Sequence, residues 1–214
     1  MNTDRETRGA NSSDLLALPL FPLRSVLFPD GLLVLKVFET RYLDLMSRCL
    51  RSGEGFGVIA LRQGGEIKGN DGPVDLEPVG VLTEIIDVDS PQSGILSVRC
   101  RGTRRFSTES VSQQADGLWT ARIEFIAGDE SVAPKEKLAA CVAALVNAID
   151  TLSAQGAKPF LEPMQFEDAG WVANRWCEIL PISLAAKQKL MALEDPMIRL
   201  DLVDDFLRSK GVIG

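Results

Sequence analysis

The sequence contains no histidine. That removes Ser–His and Cys–His nucleophile pairs and every histidine-ligated metal site. No glycine-rich loop ends in Lys-Ser or Lys-Thr, so a phosphate-cradling P-loop is excluded, and no Gly-x-Gly-x-x-Gly opens a helix. Cysteine is scarce. Cys49, Cys100, Cys141 and Cys177 lie far apart, in no metal-ligand or redox spacing, and three fall within apolar periodic segments. They read as small buried hydrophobes. No Ser-x-x-Lys stands in a context suggesting a nucleophile beside a lysine. No residue is therefore assigned to catalysis, to a cofactor or to a metal, and the expectation is a protein that is not an enzyme.

An excess of positive charge is also missing. The formal net charge is −7 over 214 residues, and each half holds more acidic than basic side chains. Grasping a phosphate backbone needs a concentrated basic surface, so bulk charge argues against nucleic acid. The opening MNTDRETRGANSSD has no apolar stretch of the kind a signal peptide needs. The longest apolar helical run, Leu138 to Ile149, is broken by Asn147 and reads as too short to span a bilayer. A cytoplasmic protein with no membrane partner is expected.

What is present is an ordinary globular balance, with 45% hydrophobic and 25% charged residues. Residues 1–14 lack periodicity and read as a mobile tail. From Leu15 the chain turns apolar, but Pro19, Pro22 and Pro29 prevent a helix and suit short extended pieces at the edge of a sheet or barrel. Leu32–Phe38 reads as a strand. Glu39–Leu50 reads as a helix with Tyr42, Leu45, Met46, Cys49 and Leu50 on one face, stopped by Gly53. Further strands are expected at Gly55–Leu61, Val79–Val88, Gly94–Cys100, Arg105–Thr108 and Leu118–Ile126, with a long, mobile, Gly-rich binding loop from Arg62 to Pro78.

Near Gly128 the character changes. Helices are expected over Lys135–Leu152 and Asp168–Leu180, from a Ser183 cap to about Leu193, and from an Asp195 cap with Pro196 at N1 to Ser209. The fold class is α+β: residues 15–128 form a β-rich barrel and residues 129–214 a helical subdomain.

Two charged groups need weighing. Asp201, Asp204 and Asp205 suggest a cation site, but read more simply as a solvated face opposite Leu200, Val203 and Leu207. Arg99, Arg101, Arg104 and Arg105 suggest an anion patch around a turn at Gly102. Alternation through Val98, Cys100 and Phe106 favours outward arginines on a strand–turn–strand corner. Trp119, Trp171 and Trp176 sit in periodic segments suited to packing.

The run from Leu18 to Leu50, LPLFPLRSVLFPDGLLVLKVFETRYLDLMSRCL, resembles the opening of the Lon protease N-terminal domain family. The matching words are Leu18–Leu23, Leu27–Gly31 with Asp30 inserted, and Phe38–Tyr42. Phe56-Gly57-Val58, Gly80-Val81, Arg101-Gly102 with Arg104-Arg105-Phe106, and the closing Lys-Gln-Lys-Leu-Met and Glu-Asp-Pro segments are also similar. This resemblance spans Leu15 to Ser209. It implies a PUA-like barrel joined to a C-terminal helical bundle. It also implies a role in recognising unfolded polypeptide or a protein partner, as an adaptor or regulator in protein quality control. It carries no catalytic residues and no motif that fixes binding residues. With the chain ending at Gly214, neither an ATPase nor a protease domain is expected. Alternatives are an RNA-binding PUA-like module, by fold analogy, and a small-ligand sensor.

Overall fold

The structure is a computed structural model and describes residues 17–66 and 72–214. The tail expected at residues 1–14 lies outside the described residues. The elements run β1 (Ala17–Leu23), β2 (Leu32–Val37), α1 (Thr40–Ser52), β3 (Gly57–Gln63), β4 (Asp75–Gln92), β5 (Ile95–Gln113) and β6 (Trp119–Phe125). A 3₁₀ turn (Glu136–Leu138) then leads into α2 (Ala139–Ala154), α3 (Ala169–Ile179), α4 (Leu184–Ala192) and α5 (Pro196–Ser209). The fold is α+β.

The strands follow the order β2-β5-β4-β3-β1-β6, and β6 pairs back onto β5. Five strands thus close a ring, while β2 hangs on the first half of β5. Length makes this possible. β5 gives Leu96–Arg101 to β2 and Phe106–Gln113 to β6, so one strand serves two partners in succession.

That long strand corrects the expected turn at Gly102. Gly102 donates its N–H to the Gly31 carbonyl and accepts from Asp30 N–H, at 2.9 and 2.8 Å. A Cβ there would overlap the Phe28 carbonyl. The glycine marks close backbone approach, not a turn. The expected loop from Arg62 to Pro78 is also shorter. β3 and β4 pair out to Gln63 and Asp75, leaving residues 64–74 as the connection, of which 67–71 lie outside the described residues.

Local signals place the helices. Gly53 adopts φ 72° and ends α1 with its N–H on the Cys49 carbonyl. Asp168, Ser183 and Asp195 each accept a backbone N–H at a helix start, and Pro196 follows at N1. In α1, Tyr42, Leu45, Met46 and Cys49 are buried, but Leu50 is exposed, as are Arg51 and Ser52. The helical segment Glu136–Ala154 is 19 residues with a mean hydropathy of 1.4, so it is long and apolar enough to cross a membrane. This corrects the estimate from Leu138–Ile149, because the 3₁₀ turn and Asp150–Ala154 extend it. Its stripe of Leu138, Cys141, Leu145 and Ile149 is buried in the core.

One apolar cluster runs through both halves, joining Phe21, Phe28 and Val98 to Leu145, Trp176 and Leu200. A smaller cluster around Phe106 and Ile59 fills the ring. α3 is buried nearly all round, not on one face, because it lies between the barrel and the other helices.

Candidate functional site

β1 and β2 are consecutive in sequence, yet they do not pair. β1 pairs with β6 only through Ala17–Leu20, because β6 begins at Trp119 opposite Leu20. Beyond that point Phe21–Leu23 pairs with β3 alone, and β2 pairs with β5 alone. Beside the closed five-strand ring, a seam without backbone pairing among the described residues therefore lies between Phe21–Leu27 and Leu32–Phe38. Pro22 suits this open side, since it has no N–H to give.

Two adjoining clefts occupy the seam, and between them all six residues of β2 line their walls. The first, of about 460 Å³, lies between Arg24–Leu27, Leu32, Leu33 and the helical half at Phe160, Glu178, Ile182 and Lys187. The second, of about 280 Å³, lies between Phe21, Leu23 and Val34–Phe38. Tyr42 lines its far end, stacked on Phe21 with centroids 4.1 Å apart. Val34 and Phe38 are 58% and 49% exposed, so the seam has an apolar lip.

The turn joining the two walls is held rigidly. Asp30 adopts φ 59°, a conformation Asp tolerates better than most residues, and its carboxylate accepts from Arg101 Nε at 3.0 Å. Arg175, fully buried on α3, donates to the carbonyls of Pro29 and Asp30 at 2.8 Å each. The same guanidinium lies 2.8 Å from Glu178 Oε1. Burial pushes the Glu178 carboxyl up to about 7, opposed by Arg175 and Lys187. At the outer rim Lys187 donates to the Glu178 carbonyl and Arg24 to the Gly64 carbonyl. Neither has a carboxylate within salt-bridge distance among the described residues.

The basic group of β5 does not form a patch. Arg105 is buried and donates to Asp129 and to the Met191, Leu193 and Ala127 carbonyls. Arg101 is paired to Asp30, and Arg104 lies over the Phe125 ring at 4.0 Å. Of the four, only Arg99 and Arg104 are exposed, which corrects the expectation of outward arginines throughout. Asp201 pairs with Lys137 and Asp204 with Arg208. Asp204 is buried, not solvated, and accepts from Arg208 Nε at 2.7 Å. No group of potential metal ligands occurs among the described residues.

All four cysteines are buried and unpaired. Burial pushes the thiols of Cys100, Cys141 and Cys177 up to about 12, which makes them unreactive near neutral pH. Trp176 donates its indole N–H to the Cys141 carbonyl at 3.1 Å, a packing role with a satisfied polar edge. Two further clefts exist away from the seam, beside Ala127–Lys135 and beside Ala17–Pro19.

A small barrel sharing its core with a helical bundle defines the class of domain. The family model of the ATP-dependent protease La (LON) substrate-binding domain matches residues 17–209. The chain belongs to that family. It is 26% identical over 215 residues to a Lon protease of Anaeromyxobacter dehalogenans, covering 95% of this chain but 24% of that protein. Lon protease 2 of Myxococcus xanthus is 25% identical over 92% of this chain and 24% of its own length. The chain thus spans about a quarter of the curated relatives it matches. A crystal structure of a Lon N-terminal domain protein from Xanthomonas campestris superposes with a TM-score of 0.70. It is 30% identical and covers 88% of this chain and 96% of its own. The N-terminal domain of a Mycobacterium avium complex Lon protease shares the fold at a TM-score of 0.56 and 15% identity.

Proposed function

We propose that this chain is a non-catalytic polypeptide-binding module that holds unfolded protein in the seam between β1 and β2. In the cell it would act as an adaptor or regulator in protein quality control. The observation that carries the reading is the seam itself: a strand-length cleft, mainly apolar at Phe21, Leu23 and Leu35 and of mixed polarity beside the helical half, with the exposed side chains of Val34 and Phe38 at its lip. Concave apolar surface with a few polar groups at its ends suits a flexible chain. Exposed aromatic and branched side chains beside a cleft are a recognised mark of protein contact. Family membership supports the same reading, since the matched model is that of a substrate-binding domain. An RNA-binding role finds no comparable support, because the β5 arginines are consumed by internal contacts or scattered.

The test is fluorescence anisotropy of a labelled, permanently unfolded polypeptide titrated with the protein, beside a labelled single-stranded RNA. Saturable binding to the polypeptide that survives moderate salt is expected. Binding to RNA alone, falling steeply with salt, would replace this reading with the other.

A further inference from the structure

The seam has the shape of a missing strand. Its two walls, Phe21–Leu23 and Leu32–Val37, are both β-strand, and among the described residues each lacks a backbone partner on the side facing the gap. An edge strand leaves the N–H and C=O of alternate residues without a ladder partner. One donor of the first wall is already taken by a side chain: the Arg24 backbone N–H, next after β1, donates to the Glu66 carboxylate. The gap therefore satisfies a backbone donor with a borrowed acceptor where a strand would ordinarily supply one.

We infer that an extended polypeptide segment enters this seam as an added strand on the free edge of β2. This rests on the polypeptide-binding reading above and specifies how the chain is held. Backbone groups of β2 bind the backbone of the guest, so recognition tolerates many sequences, while the two clefts receive alternate side chains. The guest is apolar at alternate positions, matching Val34 and Phe38, which share one face of β2.

Charge sets its direction. At the Leu32 end, Arg24 and Lys187 are without carboxylate partners among the described residues, while Glu178 is engaged by Arg175. At the Phe38 end, Glu39 is engaged by Arg41, Lys36 has no carboxylate within salt-bridge distance among the described residues, and Glu66 is held on the Arg24 backbone N–H. Two cations without carboxylate partners, Arg24 and Lys187, thus stand at the Leu32 end against one, Lys36, at the Phe38 end. A guest running antiparallel to β2 puts its C-terminal end there, so an acidic residue at that end is favoured.

The experiment uses the whole protein and labelled seven-residue peptides of alternating valine and threonine, carrying glutamate or lysine as the last side chain before an amidated end. Each residue is N-methylated in turn. N-methylation at alternate positions is expected to weaken binding about tenfold, with little effect between them. Glutamate is expected to be preferred over lysine by roughly threefold, and Lys187→Glu to reverse that order. Equal sensitivity at every position, or at none, overturns strand addition while leaving polypeptide binding in place. Binding of the unfolded polypeptide without binding of these peptides overturns strand addition alone. Failure of both to bind removes both readings.

Discussion

The guanidinium of Arg105 lies 2.6 Å from the carboxylate of Asp129. Arg105 belongs to β5 and Asp129 to the segment leaving the barrel for the helices. The other Asp129 oxygen lies 2.5 Å from Arg199 on α5. Both arginines are almost fully buried, and both also donate to the Leu193 carbonyl. Desolvation lowers the Arg105 pKa, and Asp129 opposes that shift. One carboxylate thus bridges two buried cations where the barrel meets the bundle.

Asp129→Ala leaves two buried guanidinium groups without their counter-ion. Breaking one side of a buried ion pair costs about 3–5 kcal/mol. Urea unfolding should show a loss of that size, and Asp129→Asn should lose less because hydrogen-bond acceptance survives. A loss under 1 kcal/mol for the alanine variant would contradict this account of the joint.

Gly102→Val places side-chain atoms against the Phe28 carbonyl and Leu27, where the glycine leaves no room. Overpacking of this kind costs about 1–3 kcal/mol. The wall-forming turn at Phe28–Gly31 hydrogen-bonds to Gly102, so amide exchange should quicken at Asp30 and Gly102. Unchanged exchange at both amides would argue that the turn is held elsewhere.

Glu178 should make stability depend on pH. Its carboxyl rises from 4.5 to about 7 through burial, so the folded state binds more protons than the unfolded state between those values. Its contribution is therefore most favourable at acidic pH and is lost as pH rises to about 7. The stability of wild type relative to Glu178→Gln should fall by on the order of 1–3 kcal/mol across that range. A difference that does not vary with pH would contradict the raised pKa.

Val34→Ser together with Phe38→Ser tests the apolar lip. Both side chains are exposed, so stability should change by less than about 0.5 kcal/mol each. Polypeptide affinity should fall by roughly tenfold or more, as for loss of an interface anchor. Full affinity in the double variant would move the binding surface away from β2.

Much of this architecture was legible where the deciding physics is local. Gly53, Asp168, Ser183 and the Asp195-Pro196 pair fix helix ends by capping, which depends on neighbours in the chain. The prolines of β1 correctly excluded a helix, but the edge they suggested is not where the strand lies: β1 pairs with β3 on one side and with β6 on the other. Long-range relationships were not legible. Gly102 looks the same in sequence whether it turns the chain or admits another backbone, and only the nearness of Phe28 decides. Arg105 alternates like an outward strand residue, yet Asp129 and three carbonyls draw it inward. The seam itself is an absence of pairing between β1 and β2, and no local pattern records a missing partner. The Lon-like words from Leu18 to Tyr42 pointed to the family, but they specify turns and core, so they left the binding surface unmarked.

The central claim is tested most directly by mapping amide chemical shifts of the labelled protein as unfolded polypeptide is added. The account predicts saturable shifts concentrated in Arg24–Leu27, Leu32–Phe38 and the α3–α4 residues facing them, with Arg99 and Arg104 unaffected. Saturable shifts centred on Arg99 and Arg104, or on the cleft beside Ala127–Lys135, with β2 unmoved, would contradict it.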